Sequence, residues 1–230
     1  MERLKMERIY GYYCPVALAL GVLGDRWSLL IVRDLLKEPK RFSDLFNHLG
    51  NITPKWLTLR LRQLEEAGVV ERLKGKDRRE AWYKLTAAGQ ELNPVIASLW
   101  SWGLRFAMRA PLPGEKVHPD LAMETLTASF NDRHKKLPQP RNWLFNFTNG
   151  TPFLLYYDGD AWITTEEEAQ DPDVTVAISP EEWTTFLAVK KDERKKLAPS
   201  LQISGTSERI AEFMHTFGVR DEKVLEPISK

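Results

Sequence analysis

The chain holds one cysteine and four histidines among its 230 residues, which leaves few side chains for metal or thiol chemistry. A single thiol excludes a disulfide within the chain and fits a reducing compartment. The histidines, at positions 48, 118, 134 and 215, lack the spacing of a metal site. No nucleophile elbow, phosphate-cradling loop or dinucleotide fingerprint occurs either. The sequence therefore predicts a protein that is not an enzyme and has no cofactor.

Long apolar runs are missing as well. No run approaches the ~18 residues that a membrane-spanning helix needs. The start of the sequence, MERLK, lacks the apolar core of a signal peptide. We therefore expect a cytoplasmic protein with no membrane span.

Net charge is almost absent overall, at +1, but it is unevenly distributed. Residues 1–110 hold 19 Lys/Arg against 12 Asp/Glu, a net charge of +7, whereas residues 111–230 hold 14 against 20, a net charge of −6. Only the first half is suited to a polyanion such as DNA.

The segment 53–68 has the features of an amphipathic helix. Thr53 followed by Pro54 is typical of a helix start, since a hydroxyl caps the first turn and proline costs no hydrogen bond there. Leu57, Leu61 and Leu64 recur at helical spacing, and a glycine follows at position 68. The pattern predicts a helix with one buried stripe and an exposed, partly basic face.

A basic β-hairpin is predicted directly after this helix. Strands at 69–70 and 81–85 flank a charged turn, KGKDRR, at 74–79. An ordinary solvated hairpin is the alternative, but the upstream sequence favours DNA binding. Segments 25–36 and 41–50 read as two further helices, so three helices and a hairpin together predict a winged helix-turn-helix.

Several motifs in fixed order resemble HxlR-type regulators over about residues 9–108. They are CPV at 14–16, GDRW at 24–27, RFSDL at 41–45, ITPK at 52–55, RLRQLEEAG at 60–68 and YKLTAAG at 83–89. The resemblance implies a dimeric bacterial winged-helix transcription factor that binds double-stranded DNA. Leu59 departs from the polar residue often found there in the family. Either an apolar contact, for example to a thymine methyl, or plain packing would follow, so the operator sequence cannot be carried over.

The residues predicted to contact DNA fall into two groups. Lys55, Trp56, Thr58 and Arg60 are expected to face the major groove, whereas Arg41, Ser43, Arg62 and the wing at 74–79 are expected to hold phosphates. The full set is Arg41, Ser43, Thr53, Lys55, Trp56, Thr58, Arg60, Arg62, Lys74, Lys76, Arg78 and Arg79.

A periodic apolar segment, 88–108, follows the hairpin, and Pro94 is expected to interrupt it. Its apolar residues cover more than one face, which favours packing against a second copy, together with residues 10–23. A helix shared with the next domain is the alternative. Two prolines and a glycine in 109–115 then indicate a linker, which gives predicted domains at 1–110 and 116–230.

The second domain is predicted to be α+β. The stretch DVTVAISPEEW at 173–183, LQISG at 201–205 and a terminal helix resemble a sterol carrier protein-like domain. That resemblance implies an apolar tunnel for a hydrophobic ligand, whereas an ordinary core is the alternative for each aromatic residue. The candidate lining residues are Phe145, Phe147, Leu155, Tyr157, Trp162, Trp183, Phe186, Phe213, Met214 and Phe217.

Three functions therefore stay open at this point. The first is a dimeric DNA-binding regulator whose second domain binds an effector. The second is a hydrophobic-ligand carrier that uses the winged domain for dimerisation. The third is a thiol-based sensor, because Cys14 precedes Pro15 at a predicted helix start, where the helix dipole favours a thiolate.

Overall fold

The computed structural model describes residue 11 and residues 13–74, 81–148 and 150–219. The chain divides into two compact units, Met1–Gly103 and Leu104–Lys230. This division falls a few residues ahead of the linker that the sequence predicts.

The first unit combines short helices with a small antiparallel sheet of order β1-β3-β2. Three helices followed by a β-hairpin form the predicted winged helix-turn-helix. In chain order the elements are α1 (Pro15–Leu23), α2 (Ser28–Leu35), β1 (Lys40–Arg41), α3 (Phe42–His48), α4 (Pro54–Glu66), β2 (Val70–Lys74), β3 (Ala81–Leu85), α5 (Ala87–Gln90) and α6 (Asn93–Phe106), the last of which crosses the boundary between the units.

The core of the first unit contains the predicted stripe of α4. Leu57, Leu61 and Leu64 are almost completely buried, and they join Ile31 of α2 and Leu45 of α3 in one apolar cluster. The helix ends just ahead of Gly68, which adopts a φ of +64°. This conformation is sterically unfavourable for residues that have a Cβ. The helical period of the leucines thus fixes which side of α4 faces solvent.

The interruption predicted at Pro94 is confirmed. The periodic segment is split into α5 and α6, and Pro94 is the second residue of α6. Proline has no N–H to donate to the preceding turn, so it is tolerated at a helix start and not inside one continuous helix.

The second unit contains a five-stranded mixed sheet of order β6-β5-β4-β7-β8, in which β4 and β7 are parallel and the other neighbours antiparallel. The α+β class predicted from the sequence agrees with this arrangement. Its elements are α7 (Pro119–Asp132), β4 (Arg141–Phe147), β5 (Phe153–Tyr157), β6 (Trp162–Thr165), β7 (Val174–Ile178), α8 (Pro180–Ala188), α9 (Lys191–Leu197), a 3-10 turn (Ala198–Ser200), β8 (Gln202–Gly205) and α10 (Ser207–Thr216).

Helix α9 is a described helix of this unit that the sequence analysis does not predict. Its sequence, KDERKKL, has no apolar stripe, so no periodic signal marks it. Arg194 holds it in place, because the guanidinium donates to the carbonyl oxygens of Leu187 (2.6 Å) and Phe217 (2.9 Å). Burial lowers the pKa of Arg194, and the nearby Arg133 adds to this effect.

The predicted linker is a hydrogen-bonded loop. The Arg109 guanidinium donates to both carboxylate oxygens of Glu115, at 2.7 and 2.6 Å, and the N–H of Leu112 donates to the same carboxylate at 2.7 Å. The bond from Arg109 and that from Leu112 lower the pKa of Glu115 to about 2. The carboxylate therefore stays ionised above that pH, and the clamp is lost only as the pH falls through about 2.

Within the described residues, no single helix is long and apolar enough to cross a bilayer. Helices α1 and α2 reach the required length and composition only as a pair, and they are bent by 80° at the break between them.

Candidate nucleic-acid interface

Helix α4 is the element that the sequence predicts to enter the major groove, and its cap forms as predicted. Thr53 Oγ1 accepts a hydrogen bond from the N–H of Trp56 at 3.3 Å, and Pro54 is the first helical residue. The hydroxyl thus satisfies an N–H that the first turn would leave without a helical partner.

The face of α4 opposite the buried stripe exposes cations beside large apolar side chains. Lys55 and Arg62 are exposed, Trp56 keeps 53% of its surface accessible and Leu59 keeps 40%. Gln63 is also exposed, one turn after Leu59.

Two polar side chains on this helix have partners within the helix. Thr58 Oγ1 donates to the carbonyl oxygen of Pro54 at 2.8 Å. Arg62 Nε donates to Glu66 Oε1 at 2.8 Å across one turn, and both side chains are exposed. An exposed pair of this kind contributes about 0.3–0.5 kcal/mol, so a DNA phosphate can replace it at little cost.

Arg60 differs from the other cations of α4. Its Nη2 atom lies 2.8 Å from Asp25 Oδ2, and only 15% of the side chain is exposed. Asp25 Oδ1 also accepts the N–H of Trp27 at 2.8 Å. The carboxylate thus ties the turn between α1 and α2 to α4, and this geometry argues against the predicted base-reading role of Arg60.

We expect Arg60→Ala to weaken binding to specific and random DNA by the same factor, because Arg60 acts through the position of α4. The free energy of unfolding should fall by about 1–2 kcal/mol, since Asp25 loses its charged partner in a half-buried site. Urea unfolding and fluorescence anisotropy on both DNAs measure the two effects. The control Arg62→Ala should lower the free energy of unfolding by less than about 0.5 kcal/mol, because its partner Glu66 is exposed. A loss confined to specific DNA would restore Arg60 to the base-reading set.

The start of α3 brings Arg41 to the wing. The guanidinium carbon of Arg41 lies 4.7 Å from the centroid of the Trp82 ring on β3, and the two residues are paired in the sheet. The backbone N–H of Arg41 donates to Asp44 Oδ2 at 3.0 Å, and Ser43 Oγ donates to Asp44 Oδ1 at 3.2 Å. Arg41 and Ser43 are both exposed, as a phosphate contact requires.

The wing is a regular hairpin up to the limit of the described residues. Strands β2 and β3 pair from Val70↔Leu85 to Lys74↔Ala81. Arg72 is a further exposed cation on β2, which the sequence analysis did not include. The side chain of Lys74 and the predicted contacts Lys76, Arg78 and Arg79 lie outside the described residues, so their role stays a prediction.

Cys14 occupies the predicted position at the start of the first helix. It is the N-cap residue of α1, its carbonyl oxygen accepts the N–H of Leu18 at 2.9 Å, and its side chain is half-buried. Pro15 follows as the first helical residue. The role of this thiol as a sensor stays a prediction.

The ten residues proposed to line a ligand tunnel, eight of them aromatic, belong to one core cluster of the second unit. All ten candidates are 5% exposed or less. Their rings contact one another closely: the centroids of Phe145 and Trp183 lie 4.8 Å apart, as do those of Phe213 and Phe217, and those of Tyr157 and Trp162 lie 5.1 Å apart. Mutual packing of this kind favours the ordinary-core alternative.

We expect the full chain to show no saturable uptake of a fluorescent fatty acid, because the candidate lining side chains pack against one another. Titration by fluorescence, together with mass spectrometry of the extracted protein, measures this. A serum albumin sample serves as the positive control. Saturable binding at one site per chain would instead support the carrier prediction.

Comparison with known proteins assigns the first unit. The sequence profile of the HxlR-like helix-turn-helix family matches residues 22–111. An HTH-type transcriptional regulator of Synechocystis sp. is 36% identical over 94 residues, which cover 40% of this chain and 70% of the relative. YdeP, an HTH-type transcriptional regulator of Bacillus subtilis, is 35% identical over 97 residues, covering 42% and 76%.

Among solved structures, the reduced form of the transcriptional regulator YodB from B. subtilis is 32% identical, covers 45% of this chain and all of that chain, and has a TM-score of 0.37. The family profile ends at residue 111, ahead of the second sheet, so the sterol carrier resemblance stays a prediction. Through its winged first unit, this chain belongs to the HxlR-like helix-turn-helix family, whose matched relatives are transcriptional regulators.

Proposed function

We propose that this chain is a dimeric transcriptional regulator that inserts α4 into the major groove of a palindromic operator. The observation that carries the proposal is the exposed face of α4, where Lys55 and Arg62 flank Trp56 and Leu59 in a helix-turn-helix. The net charge of +7 on residues 1–110 supports contact with phosphates. Such a regulator works in the cytoplasm, in contact with the chromosome.

Dimerisation is supported by apolar surface on α6 and α1. None of the residues of α6 is fully buried, and Val95, Leu99 and Trp102 lie on one face with 44%, 48% and 57% of their surface exposed. On α1, Val16 and Leu20 are likewise exposed one turn apart. Large apolar patches on monomeric proteins mark interaction sites, and a second copy brings the same apolar surface to the contact.

A two-fold dimer sets the operator geometry. Two copies of α4 related by the dimer axis read half-sites about 34 Å apart, which is one turn of DNA. We therefore expect an imperfect palindrome.

The second unit, in this proposal, acts as a scaffold or a protein contact. The mutual packing of Trp143 with Phe213, at 4.9 Å between ring centroids, supports a filled core there. This packing does not favour the hydrophobic effector that the sequence resemblance implies for the second unit, and sensing through Cys14 stays a prediction.

Enrichment of duplexes by the full chain from a randomised library, followed by footprinting, tests the proposal. We expect an enriched duplex with two protected half-sites in successive major grooves. Affinity should fall steeply with salt, because each neutralised phosphate releases counterions. Failure to enrich any duplex at micromolar protein would contradict the proposed function.

A further inference from the structure

We propose that Leu59 and Trp56 form an apolar ridge on α4 that reads thymine methyl groups in the major groove. Each half-site then carries a thymine facing Leu59. This inference rests on the proposed function and adds the chemical basis of its sequence preference.

Leu59 is at the centre of the outward face of α4. At 100° per residue, it lies within about 15° of the point opposite the mean direction of the three buried leucines of α4. Trp56 precedes it by one turn on the same side, and both belong to the N-terminal half of the helix. Residues in that half of a recognition helix are the ones that reach base edges.

The polar side chains of the same half are mostly committed within the protein. The hydroxyl oxygen of Thr53 caps α4, the hydroxyl of Thr58 donates to a carbonyl oxygen, and the guanidinium of Arg60 pairs with Asp25. Among the side chains between positions 53 and 60, the exposed ones that can still donate are the Lys55 ammonium, the Thr53 hydroxyl and the Trp56 indole N–H. The guanidinium of Arg60, the group best suited to a bidentate base contact, is held by Asp25, so hydrogen bonding from this half of the helix supplies little discrimination between base pairs.

Thymine offers the complementary apolar group. Its C5-methyl is the apolar feature among the major-groove edges of the four bases, and apolar side chains contact it. Burying it against Leu59 removes two apolar surfaces from water at once. Lys55 and Arg62, which are exposed near the ridge, have the charge needed to hold the flanking phosphates.

The test uses the full chain and the duplex it enriches from a randomised library. Each thymine is replaced in turn by uracil, which removes only the C5-methyl group, and affinity is measured by fluorescence anisotropy. We expect one or two replacements per half-site to weaken binding about fourfold each, the equivalent of one buried methyl group. Leu59→Ala should bind the thymine duplex and the duplex with uracil facing position 59 almost equally, whereas Leu59→Met should keep the difference.

Gln63→Ala is the matched control, because Gln63 is exposed on the same helix one turn later. It should keep the full sensitivity to the methyl group. Thermal melting of each variant verifies that the fold is unchanged. Wild-type affinity that is unchanged on every uracil duplex would overturn the inference and leave DNA binding intact. A full chain that enriches no duplex would overturn the proposed function, and this inference with it.

Discussion

Leu99→Glu will turn the full chain into a monomer and weaken its binding to a palindromic operator by about 100-fold or more. Leu99 lies between Val95 and Trp102 on the exposed apolar face of α6. In the proposed dimer two copies of this face meet, so the substitution buries two like charges in an apolar contact. Each monomer then binds one half-site and loses the gain from simultaneous contact with both. Analytical ultracentrifugation and anisotropy measure the two effects.

Ala97→Glu is the control for this experiment. Ala97 is exposed on the same helix but points away from the apolar face, so the same charge there should leave the dimer and its affinity unchanged. A wild-type chain that sediments as a monomer at micromolar concentration would contradict the dimer. The same holds for a Leu99→Glu variant that stays dimeric.

Glu212→Ala will lower the free energy of unfolding of the second unit by about 2–4 kcal/mol. Arg141 Nε donates to Glu212 Oε1 at 2.5 Å and Arg141 Nη2 donates to Glu212 Oε2 at 3.1 Å, which joins the first residue of β4 to α10. The bond to Glu212 raises the pKa of Arg141, whose side chain is 7% exposed. Without Glu212 this guanidinium stays charged and buried with its main partner removed. Because Glu212 is partly exposed, the expected loss of unfolding free energy is smaller than for a fully buried pair.

Urea unfolding followed by tryptophan fluorescence measures this change, because Trp143 lies two residues from Arg141 in the core of the second unit. Glu208→Ala removes an exposed carboxylate one turn earlier on α10 and should cost less than about 0.5 kcal/mol. Replacing both partners, in Arg141→Met with Glu212→Leu, should recover much of the loss, since no charge is then left buried. A Glu212→Ala change as small as that of the control would contradict the role given to the pair.

The sequence alone predicts the winged fold well because its signals are local. The cap at Thr53 and Pro54, the leucine stripe of α4 and the break at Pro94 each depend on residues within one or two helical turns. Local hydrogen bonding and a single buried face decide these elements, and neighbours in the sequence determine both.

The sequence predicts the partners of side chains less well. Nothing in the spacing of Asp25 and Arg60 indicates that they meet, because 35 positions separate them and the turn between α1 and α2 brings them together. Arg141 and Glu212 are likewise brought together by the fold, since 71 positions separate them in the sequence. Helix α9 lacks an apolar period, and it depends on contacts from Arg194 to distant carbonyl groups.

By itself, then, the sequence determined the helices and the hairpin that make up the winged fold, the basic half that suits DNA and the family to which that half belongs. Periodicity, capping and charge depend on residues that are close together in the sequence, so they can be recognised without the structure. Only the tertiary structure decided that Arg60 is held by Asp25 and that the aromatic side chains of the second unit pack on one another. These outcomes depend on which residues, far apart in the sequence, come into contact in the folded chain. Close packing and the pairing of half-buried charges select that arrangement over the alternatives that the same residue pattern allows.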